Sequence, residues 1–329
     1  MTIYDIAKQA GISASSVSRV INSKPGVNPE TRKKVLKLLE KNNYTPNAIA
    51  RGLVNQSSKT IGVLVADIRD IHHTDGAYYI EREMSQAGYV SLIINTGHKD
   101  EEKVNAINLL SRRRVEGVVL MGSIFQCDAV KEAIRQNLSD VPVVVVNGWL
   151  DLPNIYGITT DEREGVKICI RHLMERGRKK IAFIHDLPYN PSNTQKEKGY
   201  FDYAPELGLN PKEWSYGTEQ TLEGGAKTTR MVLQDHPDVD AIAYSVDLLA
   251  AGGLQELHAC KIAVPNKIAI TSINNSTYSM ICWPSITSLD NKRKDASIMA
   301  ARIILDHLND KPNPKRIVLI PELMVRESS

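Results

Sequence analysis

Arg19 ends a run, Ala14-Ser15-Ser16-Val17-Ser18-Arg19, in which small hydroxyl residues precede a guanidinium. Such a surface suits a helix lying in a DNA groove. A guanidinium can contact guanine O6 and N7 together, and serine hydroxyls can reach base edges or phosphate. Val17 and Val20, three positions apart, would face the other way and pack. Ser13, Ala14, Ser15, Ser16, Ser18 and Arg19 are therefore candidates for DNA contact. Charge points the same way. Residues 1–60 hold ten Lys/Arg and three Asp/Glu, about +7, leaving 31 basic and 35 acidic residues, about −4, for the rest. A basic head on a mildly acidic body calls for a polyanionic partner at the head alone. Five of those ten cations fall between Arg32 and Lys41, as they would on a solvated helix face, so the motif carries more weight than the charge.

The elements needed to hold that surface are legible. Thr2 followed by Asp5 predicts a capping box that opens a short helix, with Ile3, Ile6, Ala7 and Ala10 on its apolar face. Gly11 can take the positive φ that ends it. Ser13 can cap a second helix running to Ile21, and a small residue at Ala7 lets the two cross closely. This is a helix-turn-helix pattern. A third helix should start at Pro29 behind the cap Asn28, bury Val35, Leu38 and Leu39, and lead to Tyr44, which closes the small core.

Thr2-Ile3-Tyr4-Asp5-Ile6-Ala7, Val17-Ser18-Arg19-Val20-Ile21-Asn22, Asn28-Pro29-Glu30-Thr31-Arg32 and Tyr44-Thr45-Pro46-Asn47-Ala48 resemble the LacI/GalR family of bacterial repressors. The resemblance implies a DNA-binding domain over 1–46 and a hinge helix over 47–56 that orders on operator DNA. It implies that Leu53 is a wedge for the minor groove, and it adds Asn28, Tyr44, Asn47 and Ala50 to the DNA contacts. So short a helix is marginal alone, and an apolar wedge between base steps kinks DNA. Gly52, where the family often has Ser, weakens the hinge by about 1 kcal/mol relative to Ala.

In the body, apolar runs recur at 61–65, 90–94, 117–121, 143–146, 181–184, 241–244 and 268–273, with helical stretches between them. Strands that are apolar throughout predict parallel sheets covered on both faces, here two doubly wound subdomains with a cleft between their carboxyl ends. Catalytic motifs are missing: there is no G-x-G-x-x-G, P-loop or G-x-S-x-G, and Gly224-Gly225 reads as a turn or helix start. His72-His73 has no H-x-x-x-H or Cys partner for a metal. Four scattered cysteines predict free thiols, and no run of 18 apolar residues exists to span a membrane. The expectation is a cytoplasmic protein that is not an enzyme and needs no cofactor or metal.

The resemblance extends through Thr159-Thr160-Asp161, Gly177 to Ile184 and Pro284 to Ser288 to a core similar to periplasmic sugar-binding proteins. It implies three crossovers, with a first subdomain over 57–159 and 289–318 and a second over 160–288 and 319–329. Carried over residue by residue, it places His72 and His73 where an aromatic pair packs on the effector. Lys196 falls at a frequent effector-binding arginine, Asn274 replaces a frequent aspartate, and Gly148 stands where arginine is common. Asp161, Asp247 and Asn291 are further polar liners, and Trp149 and Trp283 could stack on a sugar or be buried. Loop histidines are also commonly structural, Lys196 could be solvated, and Asp247 could cap the helix beginning at Leu248. The expected protein is a homodimeric repressor on pseudo-palindromic operator DNA, controlled by a small molecule, with a sugar or sugar derivative the family's commonest effector class. DNA binding without such control, and sugar binding without export, are the alternatives.

Overall fold

The computed structural model describes residues 2–21, 24–42, 57–187 and 190–329. The chain divides into two compact units, 1–59 and 60–329.

In the first unit, α1 (Ile3–Ala10), α2 (Ala14–Ile21) and α3 (Pro29–Lys41) follow their caps. The Asp5 carboxylate accepts from the Thr2 backbone N–H at 2.7 Å, and Thr2 Oγ1 accepts from the Asp5 N–H at 3.3 Å. Gly11 ends α1 at φ 69°, the left-handed conformation that a Cβ disfavours. Ser13 Oγ accepts from the Ser16 N–H at 3.2 Å, and Asn28 Oδ1 from the Glu30 N–H at 2.8 Å. Ile6, Ala7, Ala10, Val17, Val20 and Val35 form the core. One expectation changes here: of the α3 stripe only Val35 is fully buried, while Leu38 and Leu39 stay half-buried. Two eight-residue helices are too short to cover all of a longer third one. The hinge reading, with Tyr44, Asn47, Ala50, Gly52 and Leu53, lies outside the described residues.

The second unit holds two six-stranded sheets. The first contains β1 (Thr60–Val65), β2 (Val90–Asn95), β3 (Gly117–Met121), β4 (Val143–Val146), β5 (Ile155–Thr160) and β11 (Arg316–Leu319), in the order β11-β5-β4-β3-β1-β2, all parallel. The second contains β6 (Ile181–Leu187), β7 (Ser215–Glu219), β8 (Ala241–Tyr244), β9 (Ala269–Ile273), β10 (Thr287–Asp290) and β12 (Glu322–Met324), in the order β12-β10-β9-β8-β6-β7. β12 runs antiparallel to β10, so this sheet is mixed rather than purely parallel.

Helices cover both sheets: α4 (Ile71–Gln86), α5 (Asp100–Arg112), α6 (Asp128–Asn137) and α13 (Arg293–Leu308) on the first, and α7 (Glu162–Glu175), α8 (Pro191–Tyr203), the short α9 (Pro211–Trp214), α10 (Leu222–Asp235), α11 (Asp247–Ala259) and the short α12 (Thr277–Ile281) on the second. The chain passes from the first sheet to the second between β5 and α7, returns between β10 and α13, and passes over again between β11 and β12.

Every apolar run read from the sequence is a strand. Strands β7, β10, β11 and β12 have no such run because they are polar or lie at edges, and β5 has none because Gly157 and its two closing threonines interrupt the apolar stretch. β7 is Ser-Tyr-Gly-Thr-Glu, and β10 buries Thr287 and Ser288. β2 also departs from the expectation of strands apolar on both faces: as an edge strand it leaves Val90 61% exposed. Gly224 and Gly225 open α10 and serve packing. A Cβ on Gly225 would collide with the Leu249 carbonyl of α11, and one on Gly252 of α11 with the Leu222 carbonyl of α10. The two helices therefore pack backbone to backbone.

Gly225→Ala gains about 1 kcal/mol of helix propensity, but the clash is with a carbonyl that cannot rotate away, and overpacking costs roughly 1–3 kcal/mol. We expect a net loss of stability in urea unfolding. A variant as stable as wild type would show that α10 and α11 do not pack this closely.

Candidate functional site

Two surfaces meet the sequence-derived candidates. On the first unit, α2 turns Val17 and Val20 inward and leaves Ser13, Ser15 and Arg19 exposed, with Ala14, Ser16 and Ser18 half-buried. Ser13 Oγ lies 2.8 Å from Ser15 Oγ and 3.0 Å from Ser16 Oγ, so three hydroxyls cluster at the start of the helix. Asn28 is exposed but spends its Oδ1 on capping α3. Lys34 Nζ donates to the Ala10 carbonyl at 3.0 Å, and the Arg32 guanidinium to the Lys24 carbonyl at 2.7 Å, so part of the basic cluster ties the helices together.

On the second unit, a cavity of about 540 Å³ lies between the carboxyl ends of the two sheets. Its walls come from the residues that come after successive strands: Gly122 after β3, Asn147 after β4, Asp186 at the end of β6, Asp247 after β8, Asn274 after β9 and Asn291 after β10. His72, His73, Lys196, Asp247, Asn274 and Asn291 all line it.

Lys196 is 4% exposed, and its Nζ donates to the Ser245 carbonyl at 3.0 Å, so it is held in the wall rather than solvated. Asn291 Nδ2 donates to Asn274 Oδ1 at 3.0 Å, while the buried Asn291 Oδ1 has no donor. Asn274 itself holds φ 110°, in the left-handed half of backbone space. Asp247 begins α11, one residue earlier than expected, and its carboxylate accepts from the hydroxyls of Ser272, Ser276 and Ser288 and from the Ser276 N–H. Burial raises its pKa, against the pull of those donors. With its acceptor sites taken, Asp247 braces the wall.

Three expectations change. Asp161 does not line the cavity: exposed, it caps α7 by accepting from the Glu164 N–H at 2.9 Å, and it borders a shallower recess next door. Trp283 is 77% exposed and away from the cavity. Trp149 instead lies under the Arg316 guanidinium, 3.4 Å from ring centroid to carbon, so neither tryptophan is a sugar platform here, nor is either fully buried. Gly148 also lies off the cavity wall, where a Cβ would come within 2.8 Å of Gln126 Oε1.

The sequence reading missed Arg293, Glu162, Asp186, Asn190 and Ser192, which also line the cavity. Asp186, Asn190 and Ser192 share the connection from β6 to α8, while Glu162 and Arg293 begin helices elsewhere in the chain, so no one local motif joins all five. Arg293 reaches from the return crossover to His72 Nδ1 at 3.0 Å and to Asp75 at 2.8 Å. Hydrogen bonds also span the cleft. Ser123 Oγ donates to Asn190 Oδ1 at 3.0 Å and accepts from the Ser192 N–H at 3.1 Å, and Gln220 Nε2 donates to Asp70 Oδ2 at 3.4 Å.

Burial lowers the His72 pKa well below its ordinary value of 6.5, helped by the nearby charges of Arg293, His73 and Lys196. A neutral His72 can accept from Arg293. Because the unfolded chain holds the proton more tightly, this stabilisation is complete above pH 6.5 and is lost as pH falls from there toward the folded pKa. His72→Gln should flatten the decline of Tm between pH 7.5 and 5; an unchanged decline would show that another group is responsible.

The description "Bacterial regulatory proteins, lacI family" matches residues 2–47, and "Periplasmic binding protein-like domain" matches residues 170–329. An HTH-type transcriptional regulator of Lachnoclostridium phytofermentans is 30% identical over 333 residues, covering 100% of this chain and 99% of that one. Catabolite control protein A of Priestia megaterium is 30% identical over 324 residues, covering 98% of this chain and 96% of that one. Among solved structures, the lac repressor dimer bound to operator and the anti-inducer ONPF has a TM-score of 0.90 at 20% identity, covering 100% of this chain and 98% of that one. The fold is thus shared with that repressor, and the two curated relatives match along nearly the whole chain. The chain belongs to the lacI family of bacterial regulatory proteins.

Proposed function

We propose that the protein is a sequence-specific transcription regulator, a repressor, whose hold on operator DNA is set by a sugar-like molecule bound between the two sheets. The observation that carries this reading is the cavity: its polar walls come from both sheets, and hydrogen bonds already cross it. A molecule filling it contacts two bodies at once and so favours one arrangement of them over another. The lining is rich in amides, hydroxyls and carboxylates, which suits a polyhydroxylated ligand, and its volume falls within the usual range for small-molecule sites.

The relatives give the same direction. One is the ribose operon repressor of Halalkalibacterium halodurans, 27% identical over the full chain, and a structure sharing the fold is a transcriptional regulator CelR-cellobiose complex. In this reading two copies of the chain place two α2 helices on successive major-groove faces in the cytoplasm. Arg19, Ser15, Ser16 and Ser18 read bases and phosphates, with Ser13, Ala14 and Asn28 alongside. His72, Lys196, Asn291 and Arg293 hold the effector. The protein acts by binding and not by turnover.

A coupling of about 1–3 kcal/mol would change operator affinity roughly 5- to 150-fold. The decisive experiment is a thermal-shift screen of sugars, followed by operator binding with each hit. No hit, with operator affinity indifferent to every compound, would leave a DNA-binding protein without small-molecule control. Arg19→Ala should cost about 1–3 kcal/mol in discrimination between operator and random DNA, while Lys196→Ala should abolish the ligand response and spare DNA binding in its absence. If Arg19→Ala bound a selected operator as selectively as wild type, α2 would not be the reading helix.

A further inference from the structure

Glu162 is a buried carboxylate of the cleft with one oxygen left unpartnered. It opens α7, is 4% exposed, and forms part of the wall between the main cavity and the neighbouring recess of about 320 Å³. Its Oε1 accepts from Asn147 Nδ2 at 3.0 Å and Ser192 Oγ at 3.1 Å, one partner from each side of the cleft. Its Oε2 is buried with no donor. The ion pairs nearby belong to its neighbours on α7: Arg163 pairs with Asp202, and Lys167 approaches Glu164 and Asp202. Among the described residues no cation pairs with Glu162. A buried carboxylate without a counter-charge is costly, and the N-terminus of a helix offsets only part of that.

Carboxylates outnumber cations around the cavity. Asp67, Asp70, Glu162, Asp186 and Asp247 line it, against Arg69, Lys196 and Arg293 as permanent cations. Asp67 is satisfied by Arg69 at 2.7 Å, Arg293 by Asp75 at 2.8 Å, and Asp247 by its serines. Asp186 is likewise held by Ser245 Oγ at 2.6 Å and Asn193 Nδ2 at 2.7 Å, and Asp70 by the His72 N–H at 2.9 Å and Gln220 Nε2 at 3.4 Å, which leaves Glu162 Oε2 as the oxygen among these five carboxylates without a donor. The wall therefore has a surplus of negative charge and one carboxylate oxygen awaiting a donor. A sugar acid or sugar phosphate would add to the imbalance, and a neutral sugar would leave it as it is.

We infer that the effector is an amino sugar or similar polyhydroxylated amine, whose ammonium donates to Glu162 Oε2 while its hydroxyls meet the amides of the opposite wall. This deepens the proposed function and rests on it. Glu162 selects the amine, and because its other oxygen already ties Asn147 to Ser192, the bound amine joins the contact between the two sides of the cleft.

The test uses the full-length protein and a panel of amino hexoses and amino disaccharides. Each is paired with the parent in which hydroxyl replaces the amine and with its N-acetyl derivative, and binding is measured by titration calorimetry and thermal shift. The expected result is at least a tenfold preference for the amine over both counterparts, reduced to less than threefold in Glu162→Gln. Comparison of compounds on the wild-type protein keeps the test decisive if the variant fails to fold. A hydroxyl parent that binds as tightly as its amine, or an amine preference that survives Glu162→Gln, overturns the inference. In the first case, if the neutral sugar also shifts operator affinity, the proposed function stands without it. If neither amines nor neutral sugars bind, the inference and the proposed function fall together.

Discussion

Parallel pairing brings the carboxyl ends of all strands but the antiparallel β12 to the same rim of each sheet, and in this protein two such rims face one another. That constraint shapes the cleft and everything that lines it. A parallel strand must lead into a crossover helix, so each rim is built of strand ends and helix starts, where backbone groups are free and polar side chains cap. The cavity walls are made of such positions: Asn147, Asp186, Asn274 and Asn291 at strand ends, Glu162 and Arg293 at helix starts. Three passages of the chain between the sheets connect the walls.

The polarity of the cleft is organised in two ways. Some groups are fully engaged and brace a wall, as Asp247 is by three serines and as Lys196 is by the Ser245 carbonyl. Others are left incomplete: Asn291 Oδ1, Glu162 Oε2 and Arg293 Nε are buried without partners. Incomplete groups carry specificity, because a ligand that satisfies them is rewarded and one that does not leaves them unsatisfied. Those that also bridge the sheets, such as Glu162 with Asn147, place recognition and conformational coupling on the same atoms.

The DNA-reading unit follows a different economy. Among the described residues its fully buried core is six small or medium side chains, and its helices are short, so end effects take a large share of the stability. The Thr2–Asp5 box, the left-handed Gly11, Ser13 and Asn28 satisfy helix ends that would otherwise be left open. With those ends secured, the outward face of α2 is free to remain small and polar, as groove recognition requires.

Features that depend on near neighbours in the chain could be read directly from the residues. Caps, the Gly11 turn and the inward valines of α2 are local, so the helix-turn-helix was legible residue by residue, and central strands such as β3 and β4 announce themselves by unbroken apolar runs. Strands β7, β11 and β12 were not legible because short edge strands are held by pairing rather than by composition. The cavity was half legible. Lys196, Asn274 and Asn291 came through resemblance, which misplaced Asp161, while Trp283, read from its residue type alone, is neither a sugar platform nor buried. Whether a polar residue caps a helix outward or lines a cleft is decided by how the sheets face each other. Arg293 meets His72 because α13 and α4 pack side by side on the first sheet, Glu162 meets Ser192 because α7 and α8 do so on the second, and Glu162 meets Asn147 because the two sheets face each other; all three join segments far apart in the chain.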